Sequence, residues 1–297
     1  MDFPFTGVIP VDKPAGVTSR RVVDVVARAA GMKSVGHAGT LDPLASGVVV
    51  VCLGHATRLV DSLHAQSKRY DAVFLLGRSS PSDDLETLVT EEEHPRVPSR
   101  EEIESAAAGF RGDILQRPCD YSAVHVDGKR AYTLARKGRP VELPARPVRI
   151  ERLVVTAWEW PRLAVDVECS AGTFIRAIGR DLALALGTQA VMESLRRTQV
   201  GPFSAAESVP MDDVCRESLA RVLRPPLDAL PHLPRAVIDQ PLLDRAVRGG
   251  LLGAAELPGL PDDGTVVAVD PSGVMVGLLG RLDTGLWRLR PNFRGAG

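Results

Sequence analysis

The chain has 297 residues, 44% of them hydrophobic and 25% charged, which is enough for one large packed domain with a lesser one beside it. No aliphatic run approaches the roughly 20 residues of a membrane span, and residues 1–5 lack the basic and apolar regions of a secretory leader, so a cytoplasmic protein is expected. Four scattered cysteines without a Cys-x-x-Cys pair, and no Walker loop, Gly-x-Gly-x-x-Gly turn or zinc-protease helix, argue against disulfide, metal and nucleotide-cofactor chemistry.

In chain order, residues 9–16 read as a short strand entering a tight turn. A helix follows from Ser19, its expected N-cap, through Ala30 to a stop at Gly31. Residues 36–47 form a glycine-rich loop, and the apolar run 48–53 has the character of a buried strand. Asp42 therefore sits on a loop at the mouth of the core, and Pro43 keeps the backbone that carries it extended. A carboxylate held this way suits a nucleophile or an electrostatic anchor. Residues 70–76 read as a strand opening on Tyr70, with Lys68 and Arg69 beside the ring. An aromatic face flanked by phosphate-binding cations suits a base lifted out of its stack.

The acidic stretch that follows is expected to be an exposed loop, and Ser99 with Glu102 spells a capping box for a helix through Ala108. Residues 121–126 should be extended, Asp127-Gly128 a turn, and 130–137 a short helix. Residues 163–170 alternate, with Leu163, Val165, Val167 and Cys169 on one side. A helix from about Thr173 to Leu186, closed by Gly187, places Arg176 in its first turn, where the helix dipole disfavours a cation. Such an arginine invites an anionic partner; a bidentate pair with Asp42 would keep that carboxylate ionised and aimed. The proline-rich stretch from Pro225 to Pro241 reads as a linker, and the short strands beyond it as a small β-rich unit. Without regular βα alternation, the whole reads as α+β with a largely antiparallel sheet.

The formal net charge of −1 conceals segregation: residues 129–152 carry eight basic groups against two acidic, and residues 83–104 nine acidic against two basic. Such a division can build a phosphate-binding face on a neutral protein, or a merely solvated one.

The run Gly36-His37-Ala38-Gly39-Thr40-Leu41-Asp42-Pro43-Leu44-Ala45-Ser46-Gly47 resembles the catalytic motif of the TruB family of pseudouridine synthases, which modify the T loop of transfer RNA. Ser170–Arg176 in full, Ser170-Ala171-Gly172-Thr173-Phe174-Ile175-Arg176, is similar to the family segment whose arginine pairs with the catalytic aspartate. Lys68-Arg69-Tyr70 is similar to the one whose tyrosine stacks on the target uracil. Asp12-Lys13-Pro14-Ala15-Gly16 resembles the N-terminal motif that supports the active-site floor, and Leu195-Arg196-Arg197-Thr198 the later signature whose leucine packs near the uracil.

The resemblance runs from about residue 9 to 203. It implies a pseudouridine synthase fold, with a mixed, largely antiparallel sheet flanked by helices, over residues 1–224. A linker at 225–240 and a PUA-like RNA-binding domain at 241–297 would follow. It implies that uridine is isomerised to pseudouridine, with Asp42 catalytic and Tyr70, Arg176, Leu195 and His37 binding substrate. Lys13, Pro14, Gly39 and Thr40 would support the site, and Lys129, Arg130, Arg136 and Lys137 would grip the RNA backbone. The reaction adds and removes no group, so no cofactor or metal is expected. The implied partner is the T arm of transfer RNA, with no membrane, no obligate protein partner and a monomeric enzyme. A guide-RNA-dependent synthase and a non-catalytic folding factor for transfer RNA are the alternatives. The sequence departs from the family at residues 78–86, including Ser79 and Ser80, and at Cys119 and His125. These departures are expected to bear on RNA docking and to leave Asp42, Tyr70 and Arg176 untouched.

Overall fold

Residues 48–53 are apolar at every position because the strand that contains them, Ser46–Leu53, is buried on both faces. Val49, Val51 and Leu53 pack with the helix Ser19–Ala30 in the main core, while Val48, Val50 and Cys52 face a second core on the other side. The computed structural model describes residues 3–122, 124–126, 129–135, 143–261 and 264–293. Among them, no helix is long and apolar enough to cross a membrane.

The main sheet has ten strands, eight of them in one path. In spatial order these are Val209–Pro210, Gly7–Lys13, Ser46–Leu53, Ala190–Val200, Lys68–Leu76, Arg162–Cys169, Arg146–Glu159 and Gly112–Gln116. Most neighbours are antiparallel. Ser46–Leu53 meets Ala190–Val200 in parallel over two pairs, Arg196 with Ser46 and Arg197 with Gly47. Gly47 has φ +106, and a Cβ there would lie 2.2 Å from the Arg197 carbonyl oxygen, so only glycine admits this contact. In the next pair Arg197 lies opposite Tyr70. One row across the sheet thus joins the end of the Asp42 loop to the strand that carries the aromatic ring.

Several expected elements shift. Thr18, not Ser19, caps the first helix, accepting from the Arg21 N–H. The hydroxyl of Ser19 is engaged elsewhere, as described below. The Arg176 helix runs Ile175–Ala185, with Phe174 before it. Among the described residues of 121–126, His125–Val126 alone is a strand, paired with Lys129–Arg130; the short helix spans Ala131–Ala135. The stretch read as a linker contributes Arg235–Val237 to a second sheet of four strands. There it pairs in parallel with Thr265–Val269, followed by Met275–Arg281 and Trp287–Asn292. Three residues suffice because Ala236 alone needs to point into that small core.

The helix Ile175–Ala185 lies against the sheet through Ile178 and Leu182, with Gly179 at the closest approach. A Cβ at Gly179 would lie 2.2 Å from ring atoms of Phe74, which is itself fully buried. Gly179→Ala should therefore push the helix or the ring out of place and cost about 1–3 kcal/mol, read as a lowered Tm. An unchanged Tm would mean that Phe74 yields freely.

Candidate active site

The Asp42 loop is held from below by cations that bind its carbonyls. Lys13 is fully buried, and its Nζ donates to the carbonyls of Pro14, Val17 (2.7 Å), Pro43 (3.4 Å) and Ala45. Ser19 Oγ donates to the Leu41 carbonyl at 3.0 Å and accepts from its N–H at 2.8 Å. Both backbone groups of the residue before Asp42 are thereby satisfied. Arg197, 1% exposed, donates through Nε to the Val48 carbonyl at 2.7 Å, through Nη2 to Gly39 at 3.1 Å and through Nη1 to Thr40 at 3.4 Å. Its charge also acts on the Tyr70 hydroxyl, opposing the upward push of burial. Burial, followed by the nearby charge of Arg197, lowers the Lys13 ammonium to about 8.

Arg176 is 5% exposed. Its Nε lies 3.3 Å from Asp42 Oδ2 and its Nη1 3.2 Å from Asp84 Oδ2, while Nη1 and Nη2 donate to the carbonyls of Ser82 (2.7 Å) and Tyr121 (2.8 Å). The pair with Asp42 is therefore an ion pair closing to 3.3 Å, not the bidentate hydrogen-bonded one expected, because Asp84 and two carbonyls engage Nη1 and Nη2 of the guanidinium. Asp84 and Ser82 are buried, so the acidic stretch begins inside the protein instead of as an exposed loop. The departing segment 78–86 also touches Arg176 directly, against expectation.

Asp42 Oδ2 and the Arg176 guanidinium border a cavity of about 370 Å³. Tyr70 and Leu195 line it as well, joined by Thr40, Glu86, Tyr121, Tyr132, Thr173 and Phe174. Asp42 remains open to this space on one side and enclosed by protein on the others. Burial raises its carboxyl above the usual carboxylate value; Arg176 opposes that rise, and the charges of Asp84 and Glu86 reinforce it. Tyr70 is buried, which pushes its hydroxyl upward as well.

Of the residues expected at the site, Asp42, Tyr70, Arg176, Leu195 and Thr40 share the cavity. Lys13 and Gly39 lie beneath the loop, and Pro14 is exposed at its turn. His37 is not among the cavity residues; it lies on the preceding strand Val35–Ala38, where burial and then Arg197 hold its imidazole below the usual value. The side chains of His125, Lys129 and Arg130, and all of Arg136 and Lys137, lie outside the described residues. Asp84 and Arg197 were not singled out. For Arg197 a signal existed: two successive arginines on a strand must face opposite ways, and Arg196 turns instead to Asp12, at 3.1 and 2.8 Å.

Two family profiles match the sequence: "TruB family pseudouridylate synthase (N terminal domain)" over residues 27–175 and "tRNA pseudouridylate synthase B C-terminal domain" over 176–230. The tRNA pseudouridine synthase B of Synechococcus sp. (strain WH7803) is 40% identical over 281 residues, 92% of each chain. That of Mycobacteroides abscessus is 38% identical over 306 residues, 96% of each chain. Among solved structures, a chain from a Cbf5-Nop10-Gar1 complex superposes with a TM-score of 0.73 at 27% identity, covering 98% of this chain and 82% of that one.

A reaction that uses ionised Asp42 should lose kcat/KM as pH falls, along an acid limb above the ordinary carboxylate value of 3.8. Glu86→Gln removes a neighbouring negative charge and should move that limb to lower pH; an unmoved limb would assign it to another group. Arg197→Lys keeps the charge but cannot span three carbonyls, and loosening the loop should lower kcat by about 100-fold. A wild-type rate would show that the loop holds its shape without the guanidinium.

Proposed function

Since this chain belongs to the TruB family of pseudouridylate synthases, we propose that its target is a uridine in the T loop of transfer RNA and that Asp42 carries the reaction. The enzyme isomerises uridine to pseudouridine in transfer RNA. The N1–C1′ bond breaks, the freed uracil turns, C5 bonds to C1′, and the C5 proton leaves while N1 gains one. Atoms balance within the nucleotide.

The observation that carries the residue assignment is one cavity shared by the Asp42 carboxylate, its Arg176 partner, the Tyr70 ring and Leu195. Asp42 faces the ribose and acts on the glycosidic bond, either by covalent attack or by stabilising charge at C1′. Arg176 fixes its orientation. Tyr70 and Leu195 hold the detached uracil between an aromatic face and an apolar wall, and exclusion of water keeps the base from escaping. Lifting the uridine out of a folded loop costs a few kcal/mol, which phosphate contacts from Lys129, Arg130, Arg136 and Lys137 help to offset. The four-stranded C-terminal sheet acts as a PUA-like RNA-binding unit.

The protein acts alone, as a monomer, without guide RNA. In support, relatives matched over 92–96% of both lengths are tRNA pseudouridine synthases B. Tritium release from transfer RNA labelled at uridine C5 tests these assignments together. Release by wild type without guide RNA, confined to the T loop and lost in Asp42→Asn, is the expected result. Full release by Asp42→Asn would overturn the catalytic assignment, and a requirement for guide RNA would overturn the stand-alone one.

A further inference from the structure

The chain contains three tyrosines, and all three line the Asp42 cavity. Tyr70 is buried at its floor. Tyr121 and Tyr132 are half-buried, with ring centroids 6.4 Å apart and planes at 85°. Phe174, also half-buried, completes an aromatic rim. One flipped uracil needs one stacking face, and Tyr70 supplies it. The outer rings are therefore surplus to the reacting base.

These rings are fixed in place from behind. The Tyr132 N–H donates to the Ser122 carbonyl at 2.9 Å and the Ala131 N–H to the Val124 carbonyl at 2.7 Å, closing the arch that carries both tyrosines. The Tyr121 carbonyl accepts from Arg176 at 2.8 Å, tying the arch to the catalytic guanidinium. Phe174 is clamped by the buried Gln116, which accepts from its N–H at 2.8 Å and donates to its carbonyl at 3.1 Å. The guanidinium of Arg146 lies 4.7 Å from the Phe174 ring centroid and donates to the Gly172 carbonyl at 2.6 Å. Preset, half-exposed aromatic faces suit a ligand with a planar π-face, because little side-chain freedom is lost when it stacks.

We propose that Tyr121, Tyr132 and Phe174 form a second subsite, at the cavity mouth, that stacks the nucleobase adjacent to the target uridine. Extruding one nucleotide strips its neighbour of stacking on one side. The platform replaces that lost contact and holds the RNA backbone in its opened form. Stacking accepts any base, so the subsite recognises the presence of a neighbouring nucleobase, not its identity. This rests on the proposed T-loop substrate.

The test is a double-mutant cycle with T-arm hairpins tritiated at C5 of the target, either intact or abasic at its 5′ or 3′ neighbour. Tyr132→Leu should raise KM on the intact hairpin by about tenfold or more with a smaller change in kcat, while Tyr132→Phe, which keeps the aromatic face, should raise KM less than Tyr132→Leu does. On the hairpin abasic at the stacked neighbour, wild type and Tyr132→Leu should converge. Tyr121→Leu repeats the cycle should Tyr132→Leu prove unstable in a thermal melt. Equal KM for Tyr132→Leu and wild type on intact RNA, or losses that simply add on both abasic hairpins, would overturn the subsite. Tritium release by wild type from the intact hairpin separately reports whether the substrate assignment stands.

Discussion

A guanidinium taken out of water must be met by nearly all the partners it had there, since an unmatched buried charge costs several kcal/mol. Arg176 meets this requirement chiefly on its far edge, through Asp84 and the carbonyls of Ser82 and Tyr121. Asp42 approaches it through Nε, at 3.3 Å. Had Asp42 been the sole counter-ion, its charge would have been fully occupied in neutralising the arginine. Asp84 instead fixes Arg176, Arg176 aims Asp42, and burial together with the second carboxylate lifts the Asp42 pKa. Asp42 is thus oriented by a cation that Asp84 and two carbonyls also hold in place.

The loop beneath is organised by a related device with neutral partners. Lys13 and Arg197 bind carbonyl oxygens of residues on both sides of Asp42. No carboxylate partner of either is found among the described residues. Carbonyl dipoles satisfy the ammonium and the guanidinium without quenching their fields, and the Lys13 charge bears on Asp42 in the direction that favours ionisation. The glycine at 47 lets the Arg197 backbone come close enough for this grip.

What the sequence made legible was local. Asp42, Tyr70, Arg176 and Leu195 each sit in a short motif whose residue types state their chemistry, and all four reach one cavity. Asp84 was illegible because burial of an acidic residue depends on a partner some ninety positions away, and the charge run around it resembled a solvated loop. Two long strands were also hidden. Arg146–Glu159 and Ala190–Val200 each carry two irregularities in register, and each bulge resets the alternation by which a half-buried strand is recognised. Arg235–Val237 was hidden by the prolines on either side of it and by its length.

The second core has a consequence for how this protein can be taken apart. Val48, Val50 and Cys52 of the central strand share it with Val267, Val269, Met275 and Leu278 of the C-terminal sheet and with Phe293 just beyond it. The strand that leads out of the Asp42 loop therefore belongs to one apolar cluster with the C-terminal unit. Cutting after residue 230, where the second family profile ends, would remove part of that cluster and leave apolar surface bare on the remainder. The terminal unit is a load-sharing wall, and recombination could not trade it between proteins as a cassette without rebuilding the strand it rests on.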